Sequence, residues 1–128
     1  TGHTERPLKA RWSDLAMEEV RPGVSRCGFG NERVMLVMNR LEPGMEPRPH
    51  SHDFEQIALV VEGTVRFTVD GETYDVSEGE VLLIPAGAQH FGEVLGERPA
   101  LNLDVFAPAR EDYMHLLEWM AAHRGVDR

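Results

Sequence analysis

The sequence predicts an all-β fold, a small closed barrel or sandwich followed by one C-terminal helix. Three observations support this prediction. Short apolar or alternating runs recur between about residues 24 and 107, and turn-forming residues separate them. Asp70-Gly71 is a two-residue hairpin signal between two of these runs. After Pro108 the apolar spacing changes to that of a helix. Many short, evenly spaced strands are typical of closed antiparallel barrels and sandwiches.

The predicted strands carry distinct local signals. Val34–Met38 is a continuous apolar run, as expected for a strand covered on both faces, and Glu42-Pro43-Gly44 ends it. In Thr64–Val69, apolar and polar residues alternate, which predicts a half-buried strand. Ser77-Glu78-Gly79 marks a turn further along. The predicted strands are Val34–Met38, Gln56–Val61, Thr64–Val69, Thr73–Val76, Val81–Ile84, His90–Val94 and Ala100–Phe106.

A C-terminal α-helix is predicted over about residues 111–124, with Gly125 as a natural stop. Its apolar side consists of Tyr113, Met114, Leu117 and Met120. We expect this helix to pack on the outside of the barrel. The first 20 residues are ambiguous, although Trp12, Leu15 and Met17 suggest a segment laid over an edge.

Length and composition limit the classes of function. A chain of 128 residues predicts a single domain spanning 1–128, with a barrel core at about 24–107. The formal net charge of −9 argues against binding to nucleic acid. No apolar run reaches the roughly 20 residues that a membrane helix needs. Thr1–Arg11 lacks a signal core, and Cys27 is the only cysteine, so we expect a cytoplasmic protein with a buried structural thiol.

Four side chains form a candidate site for one divalent metal. His50, His52 and Gln56 are all even-numbered, so they point the same way if this stretch is extended, whereas Glu55 points outward. With His90 they supply three imidazoles and an amide oxygen, a plausible set of metal ligands. Such ligands serve zinc, nickel, manganese, cobalt and iron alike. The isolated histidines are expected to be ordinary surface or core residues: His3, His115 and His123.

Two blocks of the sequence resemble the two motifs of the cupin superfamily. The first reads Gly44-x5-His50-x-His52-x3-Gln56-x6-Gly63, with glutamine where glutamate is usual. The second reads Gly79-x5-Pro85-x-Gly87-x2-His90, with Val94 in place of the asparagine that often ends it. The resemblance implies the cupin double-stranded β-helix, a small barrel or jelly roll.

Glutamine in place of glutamate has a chemical consequence. An amide oxygen leaves the full +2 charge on the metal, whereas a carboxylate would neutralise part of it. Such a site is a harder Lewis acid and is less suited to stabilising high-valent iron. The substitution therefore favours polarising or proton-transfer chemistry over oxygenation.

The last predicted strand carries a second candidate constellation. Asp104 and Phe106 share one face of this strand with Asn102, and leucines occupy the other. In one interpretation the leucines fill the core and Asp104 lies in water. In the other, Asp104 and Phe106 face the lumen, and the leucines pack under the helix or a partner subunit. Arg110 follows a proline bend that could bring it over the barrel mouth.

This constellation resembles small cupins of pectin and alginate breakdown, which convert unsaturated uronates to the open keto-deoxy form. The residues that carry the resemblance are His-Ser-His-x3-Gln and Phe-Ala-Pro-Ala-Arg-Glu-Asp-Tyr. It implies that Asp104, Phe106 and Arg110 belong to the active site. Arg110 would grip a substrate carboxylate, Asp104 would move a proton, and Phe106 would offer an apolar platform. An ion pair of Arg110 with Glu111 or Asp112 is the alternative, and Gln89 and Arg48 are further candidates for the mouth.

The sequence thus favours a metal-dependent lyase, isomerase or cyclase that acts on a small carboxylate or sugar acid. Ring opening of an unsaturated uronate is the specific hypothesis. A metal-dependent dioxygenase and a non-catalytic cupin that binds a small molecule are the rivals. We also expect a homodimer formed through sheet edges.

Overall fold

The computed structural model describes residues 6–124, and nine strands in this range form two antiparallel sheets. The strands are β1 (Glu18–Arg21), β2 (Val24–Gly30), β3 (Met35–Leu41), β4 (Gln56–Glu62), β5 (Thr64–Val69), β6 (Glu72–Ser77), β7 (Val81–Ile84), β8 (His90–Leu95) and β9 (Ala100–Phe106). The larger sheet has the order β1-β2-β3-β9-β4-β7, and the smaller has the order β6-β5-β8. The expected all-β fold is confirmed.

Three predicted strands have the predicted bounds, namely β5, β7 and β9. The strand predicted at Val34–Met38 is shifted to Met35–Leu41, because pairing with the full length of β9 carries it past the apolar run. β1 was not predicted. Its sequence is polar and mostly exposed, and it is a strand because it pairs with β2 at the sheet edge.

β9 lies at the centre of the larger sheet, between β3 and β4. Burial alternates along it: Asn102, Asp104 and Phe106 are buried, whereas Leu101 and Leu103 are half-buried. The side of β9 that carries Asp104 therefore faces the interior. Since Met35, Val37 and Asn39 are buried on β3, the interior continues onto that strand.

The core has two parts. One lies between the sheets and comprises Val24, Leu41, Ala58, Val60, Val65, Phe67, Val76, Ile84, Ala88 and Ala100. The other lies under the C-terminal helical segment and comprises Met35, Val37, Phe106, Leu116, Leu117 and Met120. Cys27 is buried as expected, and burial raises the pKa of its thiol.

The C-terminal helical segment occupies the predicted residues but differs in type and position. Glu111–Met120 is a 3-10 helix, and only α1 (Ala121–Arg124) is α-helical. The segment packs on the interior-facing side of β2 and β3, where Leu116 meets Gly28, and not on the outside of the barrel as expected. Gly125, the expected stop, lies outside the described residues.

The N-terminal segment was expected to lie over an edge, and the rings of Trp12 and Phe29 meet edge to face at 6.4 Å, which places the segment against β2, next to the edge strand β1. None of the helices among residues 6–124 has the length and apolar character needed to cross a membrane. The homodimer stays a prediction. Val81 and Leu83 on edge strand β7 are 65% and 61% exposed, which leaves an apolar edge available.

Gly28→Ala should destabilise the fold, because the helical segment leaves no room for a side chain at this position. A Cβ there would lie 2.9 Å from the Cβ of Leu116 and 3.1 Å from a methyl group of Leu117. We expect the free energy of unfolding to fall by about 1–3 kcal/mol in urea denaturation. Ser25→Ala, on the same strand, is the control. Equal stability of Gly28→Ala and wild type would show that the segment does not rest on β2.

Candidate metal centre

Three histidines converge at one end of the barrel. His50 and His52 lie in the chain before β4, and His90 begins β8. A reciprocal pair of backbone hydrogen bonds joins His50 to His90, with N···O distances of 3.0 and 2.8 Å. One ring nitrogen from each of the three histidines lies within 4.8 Å of the other two. This spacing is suitable for a single ion bound at the centre of the group.

The tautomer of each histidine is set by its own backbone neighbourhood. Each Nδ1 lies within hydrogen-bond distance of a carbonyl oxygen two residues away. The distances are 2.9 Å from His50 to Arg48, 2.8 Å from His52 to Phe54 and 2.9 Å from His90 to Ala88. Because a carbonyl can only accept, Nδ1 must carry the proton and Nε2 presents a lone pair.

Gln56 adds a fourth acceptor. Its Nε2 donates to Oδ1 of Asp104 at 2.8 Å, which fixes the orientation of the amide. Its Oε1 then lies 3.1 Å from Nε2 of His52, so two lone-pair atoms face each other. Nε2 of His90 is buried without a hydrogen-bond partner. Converging acceptors with no donor between them are what a divalent cation requires, so these residues fit a metal.

The predicted ligands come together, but for a different reason from the one expected. β4 begins only at Gln56, so residues 50–55 are not part of a continuous strand. The backbone pairing of His50 with His90 brings the two motifs together instead. Glu55 is exposed, as predicted from its parity.

Asp104 is the centre of a buried hydrogen-bond network. Its Oδ1 accepts from the amides of Gln56 and Asn102, both at 2.8 Å, and its Oδ2 accepts from Asn39 at 3.0 Å. Burial raises the pKa of Asp104, although the three amide hydrogen bonds and the nearby Arg26 act in the opposite direction. The amides come from β3, β4 and β9, so this carboxylate links three adjacent strands.

Desolvation by the surrounding protein shifts the pKa of two of the three histidines. It lowers the pKa of His50 and of His90 below the usual histidine value, and the neighbouring histidines and Arg110 act in the same direction. Both rings are therefore neutral near pH 7, which is the form that binds metal.

A cavity of about 100 Å³ reaches this centre. Its polar wall includes His50, His90, Gln56, Asp104, Asn39 and Asn102, and four arginines also line it: Arg21, Arg26, Arg48 and Arg110. A larger cleft of about 290 Å³ lies near Leu8 and Phe29, and its lining includes neither a histidine nor a cluster of ligand side chains. The chemistry therefore places the site in the smaller cavity.

Arg110 lines this cavity. It also makes the ion pair with Asp112 that the sequence offered as the alternative to a contact with substrate. Its Nε and a terminal nitrogen donate to Asp112 at 3.1 and 2.7 Å, and this contact lowers the pKa of Asp112. Its guanidinium carbon lies 3.8 Å from the Tyr113 ring centroid and 5.1 Å from that of Phe106. Asp112 and the rings hold Arg110 in place.

Phe106 is only 1% exposed and belongs to the core beneath the helical segment. Its ring meets those of His52, Phe54 and Tyr113 edge to face. It therefore supports His52 and Arg110 from behind, and the expected open platform for a sugar is not seen.

Of the remaining residues that the sequence analysis discussed, only one of those that the structure describes lies at the cavity. Arg48 lines the cavity, whereas Gln89 is exposed and its backbone pairs with Asp70. His115 lies 3.2 Å from Glu18, away from the other histidines. His3 and the side chain of His123 lie outside the described residues.

Sequence reasoning missed Asn39, Arg21, Arg26 and Tyr113. Only Asn39 had a detectable signal, since it follows the apolar run Met35–Met38 on a buried strand. An amide in such a position needs a buried partner.

Comparisons with known proteins place these features in context. A family model described as "Cupin domain" (Cupin_2) matches residues 37–106. The chain is 29% identical over 79 residues to 5-nitrosalicylic acid 1,2-dioxygenase of Bradyrhizobium sp.. The matched residues are 62% of this chain and 38% of that protein. The chain is 39% identical over 63 residues to the dimethylsulfoniopropionate lyase DddW of Ruegeria pomeroyi, 49% of this chain and 41% of the lyase. It thus spans well under half the length of these relatives.

Among solved structures, KdgF from Halomonas sp. is similar with a TM-score of 0.73 and 28% identity. The match covers 78% of this chain and 92% of that one.

His90→Ala should abolish metal binding, because it removes the buried Nε2 that has no other partner. Elemental analysis after loading and desalting should find about one divalent ion per wild-type chain and almost none in the variant. The matched control is His115→Ala, an exposed histidine outside the cluster, which should retain the ion. Equal metal content in His90→Ala and wild type would contradict the assigned site.

Gln56→Glu should destabilise the fold, because it removes a donor to Asp104 and brings a second carboxylate against it. We expect the free energy of unfolding to fall by about 1–3 kcal/mol in urea denaturation. The double variant Gln56→Glu/Asp104→Asn restores an amide–carboxylate pair and should recover part of the loss. Glu55→Gln, at the exposed neighbouring position, is the control. Additive effects in the double variant would contradict the coupling.

Proposed function

This protein belongs to the cupin family, and we propose that it is a metal-dependent enzyme that isomerises a small carboxylated sugar without oxidising it. The specific substrate class in this proposal is an unsaturated uronate, whose ring is opened to the keto-deoxy form. The observation that carries the proposal is the uncharged set of four converging acceptors, with the Gln56 amide held in place by Asp104.

The proposed reaction class follows from the charge of the four converging side chains. A divalent ion held by His50, His52, His90 and Gln56 would supply Lewis-acid polarisation of a substrate oxygen. None of the four side chains carries a negative charge, so they do not offset the charge of the ion. This favours binding of an anionic or hydroxyl-bearing substrate over the anionic ligation that suits high-valent iron.

Asp104 enters the proposal as a positioning residue. Both of its oxygens already accept amide hydrogen bonds, three in total. Its effect is to turn Oε1 of Gln56 toward His52 and the cavity. This arrangement supports orientation of a ligand in preference to the proton transfer that the sequence had suggested for Asp104.

The proposed conversion needs no co-reactant. The ring carbon–oxygen bond breaks, the hemiacetal hydroxyl loses its proton, and an aldehyde forms. The released oxygen becomes that of an enolate, which takes up one proton on carbon and becomes a ketone. The proton lost equals the proton gained, so the step is an isomerisation with no change in oxidation state.

The resemblance of the Asp104, Phe106 and Arg110 region to uronate-opening cupins supports this choice of substrate class. The cavity of about 100 Å³ is small, which fits a single sugar acid better than a polymer.

A metal-dependent dioxygenase is the second candidate. The observation that favours it is the 29% identity to 5-nitrosalicylic acid 1,2-dioxygenase, whose name implies an aromatic carboxylate as substrate. Such an enzyme would consume oxygen, and the isomerase would not.

The test compares wild type, His52→Ala and the control His115→Ala, each loaded in parallel with zinc, manganese, nickel or ferrous ion. Wild type and His115→Ala should consume an unsaturated galacturonate without oxygen uptake. The reaction would be monitored through the loss of the ultraviolet absorbance of the substrate. His52→Ala should be slower by at least about 100-fold, because it removes a ligand outright.

Oxygen uptake with ferrous protein on salicylates or the uronate would replace this proposal with the dioxygenase. Saturable binding with neither turnover nor oxygen uptake would indicate a non-catalytic cupin.

A further inference from the structure

Three arginines on the cavity wall make no ion pair within the described residues, and their arrangement suggests what binds there. Arg21 and Arg26 come from β1 and β2, and Arg48 precedes the first metal-motif histidine. Within residues 6–124, no aspartate or glutamate forms an ion pair with any of the three. We refer to Arg21, Arg26 and Arg48 as the arginine triad.

Two members, Arg26 and Arg21, have hydrogen-bond donors that no protein acceptor is seen to satisfy. Nε of Arg26 is buried without a hydrogen-bond partner, and its guanidinium lies 4.8 Å from the Tyr113 ring centroid. Arg21 donates to the carbonyl oxygen of Glu46 at 2.6 Å, which uses one of its five donors. An exposed guanidinium is satisfied by water, but a buried donor without a partner costs free energy unless a ligand supplies an acceptor.

The triad members also repel one another. Burial lowers the pKa of Arg21, and the charges of Arg48 and Arg26 lower it further, whereas the charge of Glu46 acts in the opposite direction. Asp104 is the one carboxylate that lines the cavity among the described residues, and its oxygens are occupied by amides. The cavity is therefore cationic inside a chain whose formal net charge is −9.

Arg110 differs from the triad in this respect. Its guanidinium already makes two hydrogen bonds to Asp112 and lies over Tyr113. A carboxylate that bound Arg110 in a bidentate manner would compete with Asp112, whereas one that bound the triad would relieve repulsion and satisfy a buried donor.

We propose that the arginine triad is the subsite for the substrate carboxylate, and that Arg110 is a positioning residue beside it. This inference rests on the proposed function for the identity of the ligand as a sugar acid. It adds that the protein selects its ligand at two points, the histidine cluster for a sugar oxygen and the triad for the carboxylate. A neutral sugar of the same shape should therefore bind poorly.

Binding measured without turnover tests the triad directly. Isothermal titration calorimetry at low salt would compare galacturonate with galactose, which differ in the carboxylate, on zinc-loaded and on metal-free protein. We expect galacturonate to bind wild type and galactose to bind at least about tenfold more weakly. Arg26→Gln and Arg48→Gln should each weaken galacturonate binding by about 10- to 100-fold, as expected for loss of a charged hydrogen bond.

Two controls make the result specific. Arg66→Gln removes an arginine that pairs with Asp75 on the β5–β6 hairpin, outside the cavity lining, and should leave affinity unchanged. Arg110→Gln should weaken binding less than Arg26→Gln. Arg48 is exposed, so Arg48→Gln keeps the test available if Arg26→Gln does not fold.

The outcomes separate this inference from the proposed function. Equal binding of galacturonate and galactose, wild-type affinity in both triad variants, or a loss confined to Arg110→Gln would each overturn the triad. Triad-dependent binding of galacturonate would support it even if the uronate is not turned over, and in that case only the proposed reaction fails.

Discussion

The hydrogen bonds of one buried carboxylate hold the centre of the larger sheet and the candidate metal centre in a single arrangement. Asp104 lies on β9, and the amides that satisfy it come from β3, β4 and β9 itself. A buried carboxylate without donors would be costly, so the network must form as a whole. Since one of its donors is Gln56, the stability of the sheet and the direction of a metal-facing oxygen depend on the same contacts.

The histidines are oriented by a second and more local constraint. Each Nδ1 bonds to a carbonyl only two residues away, so the ring orientation is set by the chain on either side of it. This arrangement presents Nε2 lone pairs before any ligand arrives, and little side-chain freedom remains to be lost on binding. Phe54 and Phe106 then pack against His52, with the Phe54 ring stacked at 4.0 Å between centroids.

Much of this could be predicted from the sequence. Turn pairs such as Asp70-Gly71 and the alternation in Thr64–Val69 are local signals, and local signals fixed the bounds of β5, β7 and β9. The candidate metal ligands could be predicted because they belong to two blocks with a recognisable spacing of histidine, glutamine, glycine and proline. The failures have non-local causes: β1 exists through pairing with β2, and the helical segment turns inward because Gly28 leaves room for Leu116. Likewise, the contribution of Arg26 depends on which side of β2 faces the cavity, and no pattern around it shows this.

The contrast between an acidic exterior and a cationic cavity affects how an anion reaches the site. Beyond about 10 Å at 0.1 M salt, an approaching anion meets only the screened field of a chain with formal charge −9, which is repulsive. The arginines attract it only once it enters the mouth. Such a protein gains nothing from long-range electrostatic steering, so encounter is governed by diffusion against a weak barrier. Salt then acts in two opposing ways, since it lowers the outer barrier and also weakens retention at the cavity wall.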